Sequence, residues 1–238
     1  MGSFSQRSVQ DPLLVIMAKA PKPGSVKTRL AASLPSSAVL ALYCSLLRDT
    51  VDLSKSLPGL EVALVCPESD RNELAQFVGP ELHVVAQSGQ GLAAGLTSVF
   101  QRFTTGGRHV IAFNSDSPHL SPSVLHRAFD LLASHDVVVG PTDDGGYYLV
   151  GAKAAHPNLF ENDGLGTSSA LERLLARTKS LELSTGFTET FYDIDVADDL
   201  LLLEDELRLN PAKAPRTAAW FHDWESVVAP LRKDCGEP

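Results

Sequence analysis

The sequence predicts one α/β domain, a mostly parallel β-sheet covered on both faces by helices. Three observations point to it. Short apolar runs of strand length alternate with helix-length segments from residue 13 to residue 207, the rhythm of repeated strand–helix units. The leading runs are apolar at consecutive rather than alternate positions, as in strands buried on both faces. Three polar segments follow strands directly, where an open parallel sheet gathers its ligands.

The elements follow in order. Leu13 to Met17 is a continuous apolar strand, and Lys19 to Arg29 a polar loop with Pro and Gly. Leu40, Tyr43, Cys44, Leu47 and Val51 recur at helical spacing, which gives the first helix an apolar stripe. Val62 to Val65 and His83 to Val85 are strands, with a short helix from Glu68 to Phe77 between them. Leu92, Leu96, Val99, Phe100 and Phe103 mark the next helix, and Val110 to Phe113 a strand that runs into Asn114-Ser115-Asp116-Ser117-Pro118. A helix from Pro122 to Ala133, a strand at Val137 to Val139 and another at Tyr147 to Val150 come next. The later part predicts a helix over 168–177, strands at Leu181 to Leu183 and Glu189 to Tyr192, and a helix from Ala197 to Leu207. Residues 1–11 read as a loose polar tail, 12–209 as the domain, and 210–238 as an extension that packs back through Trp220, Phe221 and Trp224.

Composition narrows the function classes. The 238 residues are 44% hydrophobic and 21% charged, which excludes collagen-like and disordered chains. A net charge of -9 argues against a nucleic-acid or membrane-surface binder, while a local basic pocket can still take a small anion. Cys44, Cys66 and Cys235 have neither zinc nor disulfide spacing, so a reducing cytoplasm is the expected location. The longest apolar runs, such as Leu13 to Ala18 and Leu200 to Leu203, fall short of a membrane span. A homodimer is left open, because an interface helix and a core helix read alike.

Four segments carry candidate chemistry. Ala18-Lys19-Ala20-Pro21-Lys22-Pro23-Gly24-Ser25-Val26-Lys27-Thr28-Arg29 places four cations after the first strand. Lys and Arg ends with free backbone N–H groups suit a di- or triphosphate, although the P-loop spacing is missing. A solvated connecting loop is the plainer reading. Asp116 stands at the end of an apolar strand, where it either holds Mg²⁺ or Mn²⁺ by oxygen or caps the next helix. Asp143-Asp144-Gly145-Gly146 is either a hairpin turn or a place where substrate lies against backbone. Asp193 and Asp195 alternate and would share a side of an extended backbone, and one of them could complete a metal site with Asp116. Asp198 and Asp199 fall in the first turn of the following helix, a structural position. Of seven histidines, His119 beside the Asp116 loop is the one worth watching.

Taken together, residues 18–30, 114–120, 144–151 and 192–200 resemble in order the motifs of the DUF2064 group of glycosyltransferase-like proteins, related to 2-phospholactate guanylyltransferase. The likeness extends to the nucleotide-diphospho-sugar transferase superfamily with its GT-A fold. It implies a Rossmann-like three-layer sandwich that binds a nucleotide with Mg²⁺ or Mn²⁺. Carried over by position, Ala18, Lys19, Pro23, Gly24, Lys27, Arg29 and Ser115 would surround the phosphates, with Lys27, Arg29 and Asp116 catalytic. Asp116 and Asp195, or less favourably Asp193, would hold the metal. Asp144, Gly145, Gly146, Tyr147 and Thr167 would border the sugar or acceptor. Two segments depart from the family pattern: Gln87 to Gly95 is small and neutral where a Gly-Glu-Arg-like stretch is usual, and the Asp163 to Ser168 segment lacks the usual Trp.

The implied partners are a nucleotide sugar or an NTP and a small-molecule acceptor. Glycosyl transfer from the nucleotide sugar ranks slightly ahead. Nucleotidylyl transfer, in which a phosphate, phosphonate or sugar phosphate attacks an NTP and releases pyrophosphate, is the alternative. A nucleotide binder without turnover is the third reading.

Overall fold

Leu13–Met17 (β1) is the hub of the sheet, and its first four residues are buried. It pairs in parallel with Glu61–Cys66 (β2) on one side and Val110–Asn114 (β4) on the other. His83–Ala86 (β3) extends the β2 side in parallel. Beyond β4 lie Tyr147–Ala152 (β6), Val137–Pro141 (β5) and Thr185–Phe187 (β7), so the order is β3-β2-β1-β4-β6-β5-β7. The computed structural model describes residues 11–160 and 168–234.

β6 is antiparallel to both its neighbours, while every other named pairing is parallel. The β5–β6 hairpin turn therefore arrives at the same edge of the sheet as the carboxyl ends of β1 and β4.

Successive strand residues point to opposite faces, and each face has its own helical cover. Leu14, Ile16, Leu64, Ile111 and Phe113 pack with Ser36–Lys55 (α1), Arg71–Val78 (α2) and Pro122–Leu132 (α4). Leu13, Val15, Val65, Ala112 and Val139 pack with Gly91–Phe103 (α3) and Ala170–Ser180 (α5). A third cluster lies on the outer side of α1, whose Leu42 and Leu46 meet Ala197–Leu209 (α6), Pro215–Asp223 (α7) and Glu225–Asp234 (α8). Trp220 is 3% exposed, and its indole N–H donates to the Ala38 carbonyl at 3.1 Å.

Buried carboxylates fasten this third layer. Asp49 of α1 accepts from the Thr217 N–H and hydroxyl, both at 2.8 Å, at the start of α7. Glu204 of α6 is gripped by Arg208 and Arg232.

Two expected strands are not formed. Leu181 to Leu183 closes the end of α5, with the N–H groups of Leu181, Glu182 and Leu183 bonded back to Arg177, Lys179 and Thr178. The Leu-Glu-Leu alternation imitates a strand, but Glu182 has φ 55, a left-handed value that ends helices rather than extending sheets. Glu189 to Tyr192 contributes only a single bridge, Thr142 to Phe191. The strand between them, β7, spans Thr-Gly-Phe after Ser184, a stretch that reads as a turn; Gly186 is there because the His135 ring lies 3.1 Å from where a Cβ would sit.

Candidate functional site

The carboxyl ends of β1, β2 and β4 open into a cleft of about 580 Å³, within the range of small-ligand sites. Its floor is the loop after β1, including Ala18, Lys19, Lys27 and Arg29. Ser115 and Asp116 enter from the end of β4, Asp195 from the approach to α6, and Gln87, Gly91 and Leu92 form the far wall. The first and last motifs therefore meet, across more than 160 residues of chain.

The basic loop is held from outside itself. The Tyr43 hydroxyl accepts from the Lys19 N–H at 3.0 Å, donates to the Lys19 carbonyl at 2.9 Å and lies 3.4 Å from Ser115 Oγ. Burial pushes this phenol up to about 12, so it stays protonated. Asp70 accepts from the Ala20 N–H at 3.0 Å and from Lys22 Nζ at 2.7 Å. Against the penalty of burial, those contacts hold its carboxyl below the usual range.

The four cations thus divide. Lys22 is bound to Asp70 and Glu73. Lys27 is buried, its side chain 4% exposed, with Nζ against Asp116 and 3.1 Å from Asp195. Burial works against that charge, but the two carboxylates outweigh it and hold the ammonium above its ordinary range. Arg29 is 64% exposed and reaches Asp195 at 3.4 Å. Among the described residues, the exposed Lys19 ammonium has no ion pair. Pro23 and Gly24 do not line the cleft. Gly24 has φ 74 with nothing within 4 Å of a notional Cβ, so it serves the turn.

The carboxylates resolve in a similar way. Asp116 does not cap a helix: α4 starts at Pro122, and its cap is Ser121, whose hydroxyl accepts from the Ser123 N–H. Asp195 is oriented by its neighbour, since Asp199 Oδ2 accepts from the N–H groups of Asp195 and Val196 at 2.8 and 2.9 Å. Asp193 is more deeply buried and accepts from Asn114 Nδ2 at 2.6 Å. Burial and the Asp116 charge push it up to about 7.

The 142–146 turn is committed to the fold. Asp144 Oδ1 accepts from Thr142 Oγ1 at 2.6 Å and from the Gly146 N–H at 3.0 Å. Gly145 has φ 86, and a Cβ there would lie 2.1 Å from the Ser168 carbonyl oxygen. Its own carbonyl accepts from Leu171 N–H. Gly145 lets the hairpin press on the approach to α5, while a Cβ on Gly146 would meet Thr142 and Asp144 of the turn itself. Tyr147 turns into the core on the α3/α5 side, and burial raises its phenol well above the ordinary value. None of these four residues lines the cleft, and Thr167 lies outside the described residues.

Sequence reasoning missed Tyr43, Asp70 and Gln87. Tyr43 occupies a core position of the α1 stripe, and nothing local distinguishes it from a packing residue. Gln87 Nε2 donates to the carbonyls of Gly89 and Gly91, shaping the wall at the start of α3.

His119 lies behind the site, fully buried, its ring 4.5 Å from that of Tyr192. Burial pushes it down to about 4 from its ordinary 6.5. The unfolded chain therefore takes up a proton first as pH falls. The His119 contribution is intact above pH 6.5 and is lost down to about pH 4, a decline of about 3 kcal/mol. Urea titrations across that window should show the slope flattened in His119→Phe; an unchanged slope would assign the acid lability to other groups.

The residues fit a hard divalent cation by chemistry. Asp116 and Asp195 offer oxygen donors, and Asp193, raised by burial first and by the Asp116 charge second, stands beside them. Asn114 Oδ1 is buried without a hydrogen-bond partner. Among the described residues, however, no group of three or more potential ligands is already assembled, and Lys27 stands between the two carboxylates. No helix among the described residues is long and apolar enough to cross a membrane.

Comparison with solved structures gives the fold a context. A candidate nucleotide-diphospho-sugar transferase from Desulfovibrio desulfuricans G20 superposes with a TM-score of 0.85 at 22% identity, covering 92% of this chain and 97% of that one. The 4-diphosphocytidyl-2C-methyl-D-erythritol synthase of Anaerococcus prevotii DSM 20548 gives 0.56 at 11% identity, covering 83% and 96%. Rv0371c of Mycobacterium tuberculosis H37Rv, in complex with manganese, gives 0.52 at 16% identity, covering 82% and 98%. No curated protein matches the chain by sequence. Residues 50–167, which hold Asp116 and the Gly145-Gly146 turn, match the profile of a family described as an uncharacterized protein conserved in bacteria, DUF2064. Of the four motifs, 114–120 and 144–151 fall within that DUF2064 match while 18–30 and 192–200 lie outside it, and the fold is shared with the Desulfovibrio desulfuricans protein.

Proposed function

We propose that the chain is a metal-dependent transferase that moves a glycosyl group from a nucleotide sugar to a small acceptor. The observation that carries this reading is the convergence of Lys19, Lys27, Arg29, Asp116 and Asp195 on one cleft. Two of the four loop cations are engaged by carboxylates at close range and Arg29 only loosely. A supply of about two free cations suits a nucleoside diphosphate leaving group better than a triphosphate.

Lys19 and Arg29 would bind the diphosphate oxygens, with Arg29 able to grip two at once. Asp116 and Asp195 would hold Mg²⁺ or Mn²⁺, which when bound neutralises charge on the departing diphosphate. Tyr43 and Asp70 fix the loop backbone, so the cations are aimed before the substrate arrives, and that preorganisation is where electrostatic catalysis gains most.

Nucleotidylyl transfer is the second reading. It draws on the fold shared with the 4-diphosphocytidyl-2C-methyl-D-erythritol synthase.

The test is a thermal-shift and calorimetric panel of nucleotide sugars and NTPs with and without Mg²⁺ or Mn²⁺. Metal-dependent stabilisation by a nucleotide sugar is expected, about 2.7 kcal/mol at a ligand concentration a hundredfold above Kd. A response to NTPs alone would favour nucleotidylyl transfer, and silence across the panel would remove both transferase readings.

A further inference from the structure

We infer that Lys27 is a built-in cation occupying the place of the divalent metal, so that metal enters the Asp116–Asp195 site only by displacing the Lys27 ammonium. The inference rests on the metal-binding reading above and adds a competitor to it.

Three observations carry it. Lys27 Nζ touches both carboxylates, Asp116 and Asp195, that a metal would bridge. Its side chain is 4% exposed, unlike an ordinary lysine, which keeps its charge in water. Its backbone has φ 47, a left-handed value that a long side chain adopts at a cost and that recurs at functional sites. The loop is therefore built to hold this ammonium against the two carboxylates at the cleft.

Two cations cannot share the cage. A divalent cation and the ammonium would draw on the same Asp116 and Asp195 oxygens, and their like charges would repel at that range. Once displaced, the ammonium has the cleft beside it, where a bound phosphate would receive its three donors. Metal and nucleotide would then favour each other's binding, because the phosphate stabilises the displaced lysine.

The experiment measures Mn²⁺ binding to the full chain without nucleotide, by calorimetry and by the paramagnetic resonance of free Mn²⁺. Lys27→Met should bind Mn²⁺ at least tenfold more tightly than the unsubstituted protein, and Lys27→Arg, which keeps the charge, should not. Asp116→Asn combined with Lys27→Met should return binding to the weak level. If Lys27→Met does not fold by circular dichroism, Lys27→Gln decides, with a change in the same direction. Unchanged or weaker binding in the uncharged variants, alongside measurable binding to the unsubstituted chain, overturns the inference and leaves the metal reading intact. Absence of Mn²⁺ binding in every variant, with and without nucleotide, overturns both.

Discussion

Asp116→Asn is expected to lower kcat/KM about a thousandfold for the donor that the ligand panel selects, equivalent to about 4 kcal/mol of transition-state stabilisation. The substitution keeps the side chain's shape and one oxygen but removes its charge. Asp116 is the carboxylate in closest contact with Lys27, and it enters the cleft directly from the end of β4. Losing it weakens the proposed metal site and leaves Lys27 leaning on Asp195 alone. Asp195→Asn should cost less, about ten- to a hundredfold, because its side chain is 42% exposed and shares its charge with Arg29. Steady-state kinetics on the purified variants, with melting temperatures recorded beside them, separate chemistry from folding. Activity of Asp116→Asn within threefold of the unsubstituted protein would move the reaction away from this carboxylate.

Asp49→Ala is the substitution expected to harm the fold most. Asp49 is 4% exposed and satisfies the N–H and hydroxyl of Thr217, which is itself fully buried. Alanine would leave both donors without a partner and would release Arg216 as well. A buried donor left unsatisfied costs about 1–3 kcal/mol, so the loss should reach about 3 kcal/mol or more, roughly 10 °C in Tm for a domain of this size. Differential scanning calorimetry measures it directly. A shift under 2 °C would show that the anchoring of α7 rests on Trp220 and Phe221 rather than on the carboxylate.

The parts of the site that were legible in the sequence are those whose chemistry is local. Asp116 announces itself because a carboxylate three residues beyond the buried apolar run Val110 to Phe113 lies at a sheet edge, and Lys27 and Arg29 because cations crowd one short loop. Their pairing was not legible. Lys22 meets Asp70 and Lys27 meets Asp195 across 48 and 168 residues, and no spacing rule reaches that far. The direction of β6 was hidden for a different reason, since a fully buried strand has the same composition in either direction. At Leu181 to Leu183 the alternation was real but belonged to a helix ending. Gly145 of the 142–146 turn was visible, yet the demand it answers comes from Ser168, a neighbour that only the folded chain supplies.

Because Asp49 and Thr217 are 168 positions apart, α1 has a consequence for the timing of folding. Its inner side can settle on the sheet once β1, β2 and β4 have been synthesised. Its outer side, with Leu42 and Leu46, gains its cover only when α6, α7 and α8 leave the ribosome. Contacts so distant in sequence close slowly, and an uncovered apolar helix face on a growing chain invites association with other chains. The layer of α6, α7 and α8 should therefore form last, and nascent chains halted before residue 215 should be the ones that engage chaperones.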